Sequence, residues 1–129
     1  MTVQARILIV DDEQPLVNLL TQAFRQEGHR TMTASNGIDC MNRMASFRPD
    51  VVIMDIMMPK LDGIDTTRLI RRNRSYAGTT IIALSAKSDE ETRAKMKEAG
   101  AALFMRKPFS VMKLVERVGR MLAPDPGIV

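Results

Sequence analysis

The sequence predicts an α/β fold: a five-stranded parallel sheet of order 2-1-3-4-5, doubly wound by helices in the flavodoxin-like manner. Three observations carry that expectation. Short apolar runs alternate along the whole chain with segments whose apolar residues recur at helical spacing, the pattern of repeated βα units. The central runs are apolar at consecutive positions, as strands are when helices cover both faces of a parallel sheet. Four runs also stop on a polar residue: Ile7-Leu8-Ile9-Val10 on Asp11-Asp12, Val51-Val52-Ile53-Met54 on Asp55, Ile81-Ile82-Ala83-Leu84 on Ser85, and Leu103-Phe104-Met105-Arg106 on Lys107. In parallel strands those four ends share one edge, where open α/β sheets bind their ligands.

The elements follow in order. After the first strand, Pro15 suits the opening turn of a helix, and Leu16, Leu19, Leu20, Ala23 and Phe24 supply its apolar stripe before Gly28 ends it. Arg30 to Ala34 reads as the second strand and Asn36-Gly37 as a turn. Ile38 to Phe47 forms a helix marked by Ile38, Met41, Met44 and Ala45 and ended before Pro49. The third strand, Val51 to Asp55, takes the central position. Met58-Pro59-Lys60-Leu61-Asp62-Gly63 forms a loop, and Ile64, Leu69 and Ile70 mark a third helix that gives way around Ser75-Tyr76-Ala77-Gly78. The fourth strand starts at Thr80. Ser88-Asp89-Glu90-Glu91 has capping-box spacing for a helix that ends at Gly100. Leu103 to Arg106 is the fifth strand. Ser110 caps a last helix whose Val111, Leu114, Val115, Val118 and Leu122 face inward, and Ala123-Pro124-Asp125-Pro126-Gly127 cannot continue it. Residues 1–122 therefore form one domain, and residues 123–129 a tail or the start of a linker.

Composition narrows the function. At 129 residues the chain is one ordinary domain, too short to join a sensor to an output module. With 45% hydrophobic and 26% charged residues it has the balance of a globular protein. No apolar stretch reaches the roughly 20 residues of a membrane span, and no signal-peptide order opens the chain, so a cytoplasmic location without membrane insertion is expected. The single cysteine, Cys40, has no partner for an internal disulfide and reads as helix packing. The formal net charge of +4 raises nucleic acid as a partner. Aromatics at 4% and the lack of any zinc-finger or RNA-binding spacing argue against direct binding. The basic residues instead have helical spacing, Arg68, Arg71 and Arg72 on one helix and Lys113, Arg117 and Arg120 on another.

The chemistry lies at the strand ends. Three clustered carboxylates repel one another, and an all-oxygen site of this kind suits Mg²⁺, with Mn²⁺ as the alternative. Asp55, at the tip of the central strand, is the candidate nucleophile toward phosphorus, forming an acyl phosphate. Lys107 would bind a phosphoryl oxygen as a point charge and the Ser85 hydroxyl would donate to another.

At these residues the chain resembles the response-regulator receiver domain of two-component signalling, of the single-domain kind found in chemotaxis regulators. The resemblance rests on Val10-Asp11-Asp12-Glu13, Asp55-Ile56-Met57-Met58-Pro59 with Asp62-Gly63, Ser85-Ala86, and Gly100-Ala101 followed by Lys107-Pro108-Phe109. It implies that Asp55 accepts a phosphoryl group from a histidine kinase or histidine phosphotransfer protein. Asp12, Asp55 and the Met57 main-chain carbonyl would ligate the metal, with Asp11 acting through water. It implies a cis peptide at Lys107-Pro108. It also implies a switch in which Ser85 is drawn toward the phosphoryl group, Phe104 rotates inward, and the face formed by the fourth helix, fifth strand and fifth helix changes to control a protein partner. Such a chain catalyses its own phosphotransfer and slow autodephosphorylation and is not a conventional enzyme. It is a monomer or a phosphorylation-dependent dimer. The alternative is a receiver cut from a multidomain regulator or hybrid kinase with a DNA-binding or enzymatic output.

Several residues particularise the resemblance. Phe104 lacks the hydroxyl that a tyrosine would use as an outward anchor. Met57, two residues after Asp55, offers attacking water no side-chain hydrogen bond, and Lys87 stands two after Ser85; both favour a long-lived acyl phosphate. Arg106, Lys113, Arg117 and Lys95 would give the output face a basic rim suited to an acidic partner. Leu16, beside the acidic edge, is the candidate for docking the phosphodonor. Two other classes fit less well. A hydrolase with an aspartate nucleophile would carry Asp-x-Asp, which Asp55-Ile56-Met57 lacks, and a flavin-binding protein would carry a hydroxyl-rich loop in place of Asp11-Asp12-Glu13.

Overall fold

A computed structural model describes residues 3–87 and 89–123. Five strands, β1 (Arg6–Val10), β2 (Arg30–Ala34), β3 (Val51–Asp55), β4 (Thr80–Ser85) and β5 (Leu103–Arg106), alternate with five helices. These are α1 (Gln14–Gln26), α2 (Gly37–Phe47), α3 (Gly63–Arg72), α4 (Glu90–Ala99) and α5 (Val111–Leu122), with a short 3-10 turn at Arg74–Tyr76. All pairings are parallel and the order is β2-β1-β3-β4-β5, as expected from the sequence.

Strand side chains alternate between faces, and the sheet sorts them into two cores. Ile7, Ile9, Val51, Ile53, Ile82 and Leu84 meet Val17, Leu20 and Phe24 of α1 and Leu114, Val115 and Val118 of α5. Leu8, Val10, Val52, Met54, Ile81 and Ala83 meet Cys40 and Met44 of α2, Ile70 of α3 and Met96 of α4. α1 and α3, which follow the adjacent strands β1 and β3, thus lie on opposite faces, so the switch-point crevice opens where Asp11, Asp12 and Asp55 stand.

Helix ends follow the local chemistry. Pro15 lies in the first turn of α1, the Asn36 and Asp62 side chains accept from Asp39 N at 2.8 Å and Asp65 N at 2.9 Å, and Ser110 accepts from Lys113 N at 3.2 Å. The residue capping α4 is Asp89; Ser88, expected to open its capping box, lies outside the described residues, as do positions 124–129 of the expected tail. Cys40 is buried on α2, and burial pushes its thiol up to about 12, consistent with packing.

Four apolar residues of the expected stripes, Leu19, Ile38, Ala45 and Leu69, face solvent; Leu69 sits about 200° around α3 from the buried Thr67. Leu19 is 51% exposed because it sits about 200° around α1 from Val17, and Ile38 is 52% exposed for the same reason relative to Cys40. Ala45 on α2 is exposed too. The arcs that pack are Val17, Leu20 and Phe24, and Cys40, Met44 and Phe47.

Arg71 is not part of a solvated basic face. Its guanidinium donates to the carbonyls of Gly100 at 3.2 Å, Tyr76 at 3.1 Å and Thr79 at 2.7 Å, joining α3 to the ends of α4 and of the 3-10 turn and to the start of β4. Gly100 sits at φ 119, and a Cβ there would come within 2.7 Å of Arg71 Cγ, so both backbone angle and space require glycine. Arg71→Met is expected to cost about 2 kcal/mol in urea unfolding, because three partly buried carbonyls lose a charged donor; a change under about 0.5 kcal/mol would contradict this reading.

Candidate functional site

The carboxyl edge brings the expected residues together. In the β1–β3 register Val10 lies beside Met54, which sets Asp11 next to Asp55. Asp11 and Asp55 are 2% and 3% exposed, Asp12 is exposed, and carboxylate oxygens of the three lie within 4.8 Å of one another. Lys107, after β5, sends its ammonium into this group. Nζ lies 2.9 Å from Asp11 Oδ2, 3.6 Å from Asp55 Oδ1 and 3.1 Å from Glu13 Oε1. The Lys107–Pro108 peptide is cis.

Electrostatics follow from the crowding. Burial, then the charge of Asp11, push the Asp55 carboxyl up to about 7, while Lys107 and the Met57 N–H, 3.4 Å from Asp55 Oδ1, act the other way. Burial draws the Lys107 ammonium down, but its hydrogen bond to Asp11, the Asp55 charge and its hydrogen bond to Glu13 outweigh that, and the balance raises it. One ammonium faces more carboxylate charge than it can neutralise. The site is therefore suited to a further cation, and every donor around it is oxygen.

Ser85, fully buried at the end of β4, accepts from Lys87 N at 3.0 Å, and among the described residues its hydroxyl donates to no protein acceptor. Met57 exposes its side chain, and its main chain follows directly on the β3 tip. Gly63 N donates to Ile56 O at 3.0 Å; a Cβ on Gly63 would strike the Asp55 carbonyl and lie 2.8 Å from Ile56 Cα. Gly63→Ala is therefore expected to displace the Asp55 backbone and to slow the phosphoryl acceptance that the resemblance implies for Asp55 at least about tenfold, a loss typical when reacting groups are misplaced; an unchanged rate in a folded variant would contradict the placement.

Leu16, the expected docking residue, is half-buried against the α1–α5 core, and Leu19 is the apolar residue of α1 that faces out. Phe104 is half-buried on β5, with the Arg93 guanidinium over its ring 4.9 Å from the centroid. That stack, the Glu13 contact to Lys107 and the Arg71 clasp carry no local signal in the sequence. Glu13 meets Lys107 and Arg71 meets Gly100 only because the fold brings distant segments together.

A doubly wound sheet whose switch point gathers three aspartates and a lysine defines a receiver. The model of the response regulator receiver domain matches residues 7–119, and the chain belongs to that family, as the receiver domain of a response regulator in two-component signalling. It is 37% identical over 117 residues to the DNA-binding response regulator MtrA of Mycobacterium tuberculosis, covering 91% of this chain and 50% of the relative. It is 35% identical over 117 residues to the alkaline phosphatase synthesis transcriptional regulatory protein PhoP of Bacillus subtilis, covering 91% and 48%. The chain thus spans about half the length of these relatives. Among solved structures, the chemotaxis protein CheY4 of Vibrio cholerae superposes with a TM-score of 0.86 at 27% identity, covering 93% of this chain and all of that one. The BeF3-activated DrrB receiver domain superposes with a TM-score of 0.82 at 32% identity, covering 93% and 98%. Among the described residues no helix is long and apolar enough to cross a membrane.

Proposed function

We propose that the protein is a phosphorylation-controlled switch in which Asp55 takes a phosphoryl group from a phosphohistidine donor. One observation carries the reading: a buried carboxylate at the tip of the central strand, 3.6 Å from the Lys107 ammonium and within 4.8 Å of two further carboxylates. An Asp55 oxygen attacks phosphorus, the phosphorus–nitrogen bond breaks, and its electron pair leaves with the imidazole. Lys107 moves from carboxylate to a phosphoryl oxygen, and the Ser85 hydroxyl donates to another. Mg²⁺ or Mn²⁺ held by Asp12, Asp55 and the Met57 carbonyl, with Asp11 through water, would neutralise charge on the transferring oxygens.

Output follows from the β4–β5 pairing. Ser85 lies opposite Arg106 and Ala83 opposite Phe104, so a shift of Ser85 toward Asp55 is felt where Phe104 packs. The α4–β5–α5 face, with the exposed Lys95, Arg106, Lys113 and Arg117, is the surface that changes, and its charge suits an acidic protein partner. The exposed, apolar Met57 favours slow loss of the phosphoryl group. A cytoplasmic setting belongs to the same reading.

The chain has no tryptophan, so beryllofluoride titration is best followed by NMR. Saturable shifts are expected first around Asp55 and Ser85 and then on the α4–β5–α5 face. Shifts confined to the acidic crevice would contradict the switch.

A further inference from the structure

We propose that Arg93 is the positioning residue for Phe104, a cationic clasp from α4 that holds the half-buried ring in its resting place until Asp55 is modified. The proposal rests on the phosphorylation reading above and adds to it a residue that touches neither the carboxylates nor the phosphoryl group. Arg93 is exposed on α4, and its guanidinium lies over the Phe104 ring, 4.9 Å from the centroid. Among the described residues it makes no ion pair, although its neighbour Lys95 pairs with Glu91 at 3.0 Å. Among the described residues the ring is the group its guanidinium meets, in a geometry where a cation is attracted by the negative face of the aromatic.

The neighbours of Phe104 make this contact decisive for the ring. Its partner across the β4–β5 ladder is Ala83, which carries only a methyl group, and Ser85 lies two residues further along β4. Strand alternation puts Ala83 and Ser85 on the same face, so the ring has a small neighbour on the side toward Ser85. A phenyl ring has no hydroxyl to fix it at the surface. The guanidinium supplies that anchor instead, and a ring that turns inward must leave it. The contact exists in the unmodified protein, so it weights the equilibrium toward the resting arrangement; a group that favours one state opposes the other to the same extent.

Arg93→Met keeps an unbranched stem and removes the charge. It is expected to raise the rate of Asp55 labelling by acetyl phosphate, and the affinity for beryllofluoride, by about two- to fivefold, the factor that corresponds to an exposed cation–π contact. Arg93→Lys should restore most of the wild-type behaviour. In a Phe104→Leu background, Arg93→Met should change neither quantity, because the pair acts as one unit. In the unmodified wild type, the Arg93 side-chain protons should show upfield ring-current shifts that Phe104→Leu removes. Wild-type rates in Arg93→Met, or equal acceleration with and without the ring, would overturn the clasp while leaving labelling of Asp55 intact. A wild type that is not labelled at all would instead overturn the reading on which the clasp rests.

Discussion

Lys107→Met is expected to destabilise the protein by roughly 3 kcal/mol at about pH 8.5, the scale of removing one partner from a buried ion pair. The Asp11 side chain is 1% exposed and that of Lys107 12%, so water does little to screen the 2.9 Å contact. The pH dependence has a definite sign. The folded-state value of Lys107 is raised, so its contribution is fully present below the ordinary lysine value of 10.5 and is lost as pH rises through the higher folded value. On the acid side, Asp55 takes up a proton as pH falls through about 7, and its share of the attraction disappears. The deficit should therefore be largest between about pH 8 and 10 and clearly smaller at about pH 5.5. Urea unfolding of both proteins at two pH values measures it. A deficit that is the same at both, or larger in acid, would contradict the placement of Lys107 among ionised carboxylates.

Asp55→Asn should act with the opposite sign. A carboxyl raised from 3.8 to about 7 opposes folding when ionised: the penalty is absent below about pH 4, grows as pH rises to about 7 and is full above it. The asparagine variant should thus be more stable than wild type at about pH 8, by on the order of 2 to 4 kcal/mol, and should lose that advantage toward pH 4. Part of the gain is offset because Lys107 loses one of its acceptors. Millimolar Mg²⁺ should narrow the gap at about pH 8, since a cation held by the carboxylates favours their ionised forms. Equal stability of the two proteins in metal-free buffer at that pH would show that Asp55 is not crowded as described.

Much of this was legible in the sequence because it depends on local pattern. Strand runs such as Val51 to Asp55, caps such as Ser110 and the placement of Asp11, Asp55, Ser85 and Lys107 at strand ends are set by residues close together in the chain. Local pattern and right-handed crossovers do not by themselves fix a strand order; the doubly wound order expected here is the one the structure shows. Helix faces are less legible. Leu19 and Ile38 belong to the apolar stripes by their chemistry, whereas the helical angle that packs is set by Val17 and Cys40. Arg71 and Arg93 show a different limit. Arg71 reads as one of three basic residues on a helix and Arg93 carries no signal of its own; only the juxtaposition of α3 with Gly100 and of α4 with β5 gives them carbonyls and a ring to hold.

The most direct test is intact-mass and peptide mapping after incubation with acetyl phosphate and Mg²⁺, comparing wild type with Asp55→Asn. Wild type should gain one phosphoryl group, on the peptide containing Asp55 and only when the metal is present, and the variant should gain none. A wild-type chain that stays unmodified while a known receiver is labelled in the same tube, or an Asp55→Asn chain labelled to the same extent, would contradict the account.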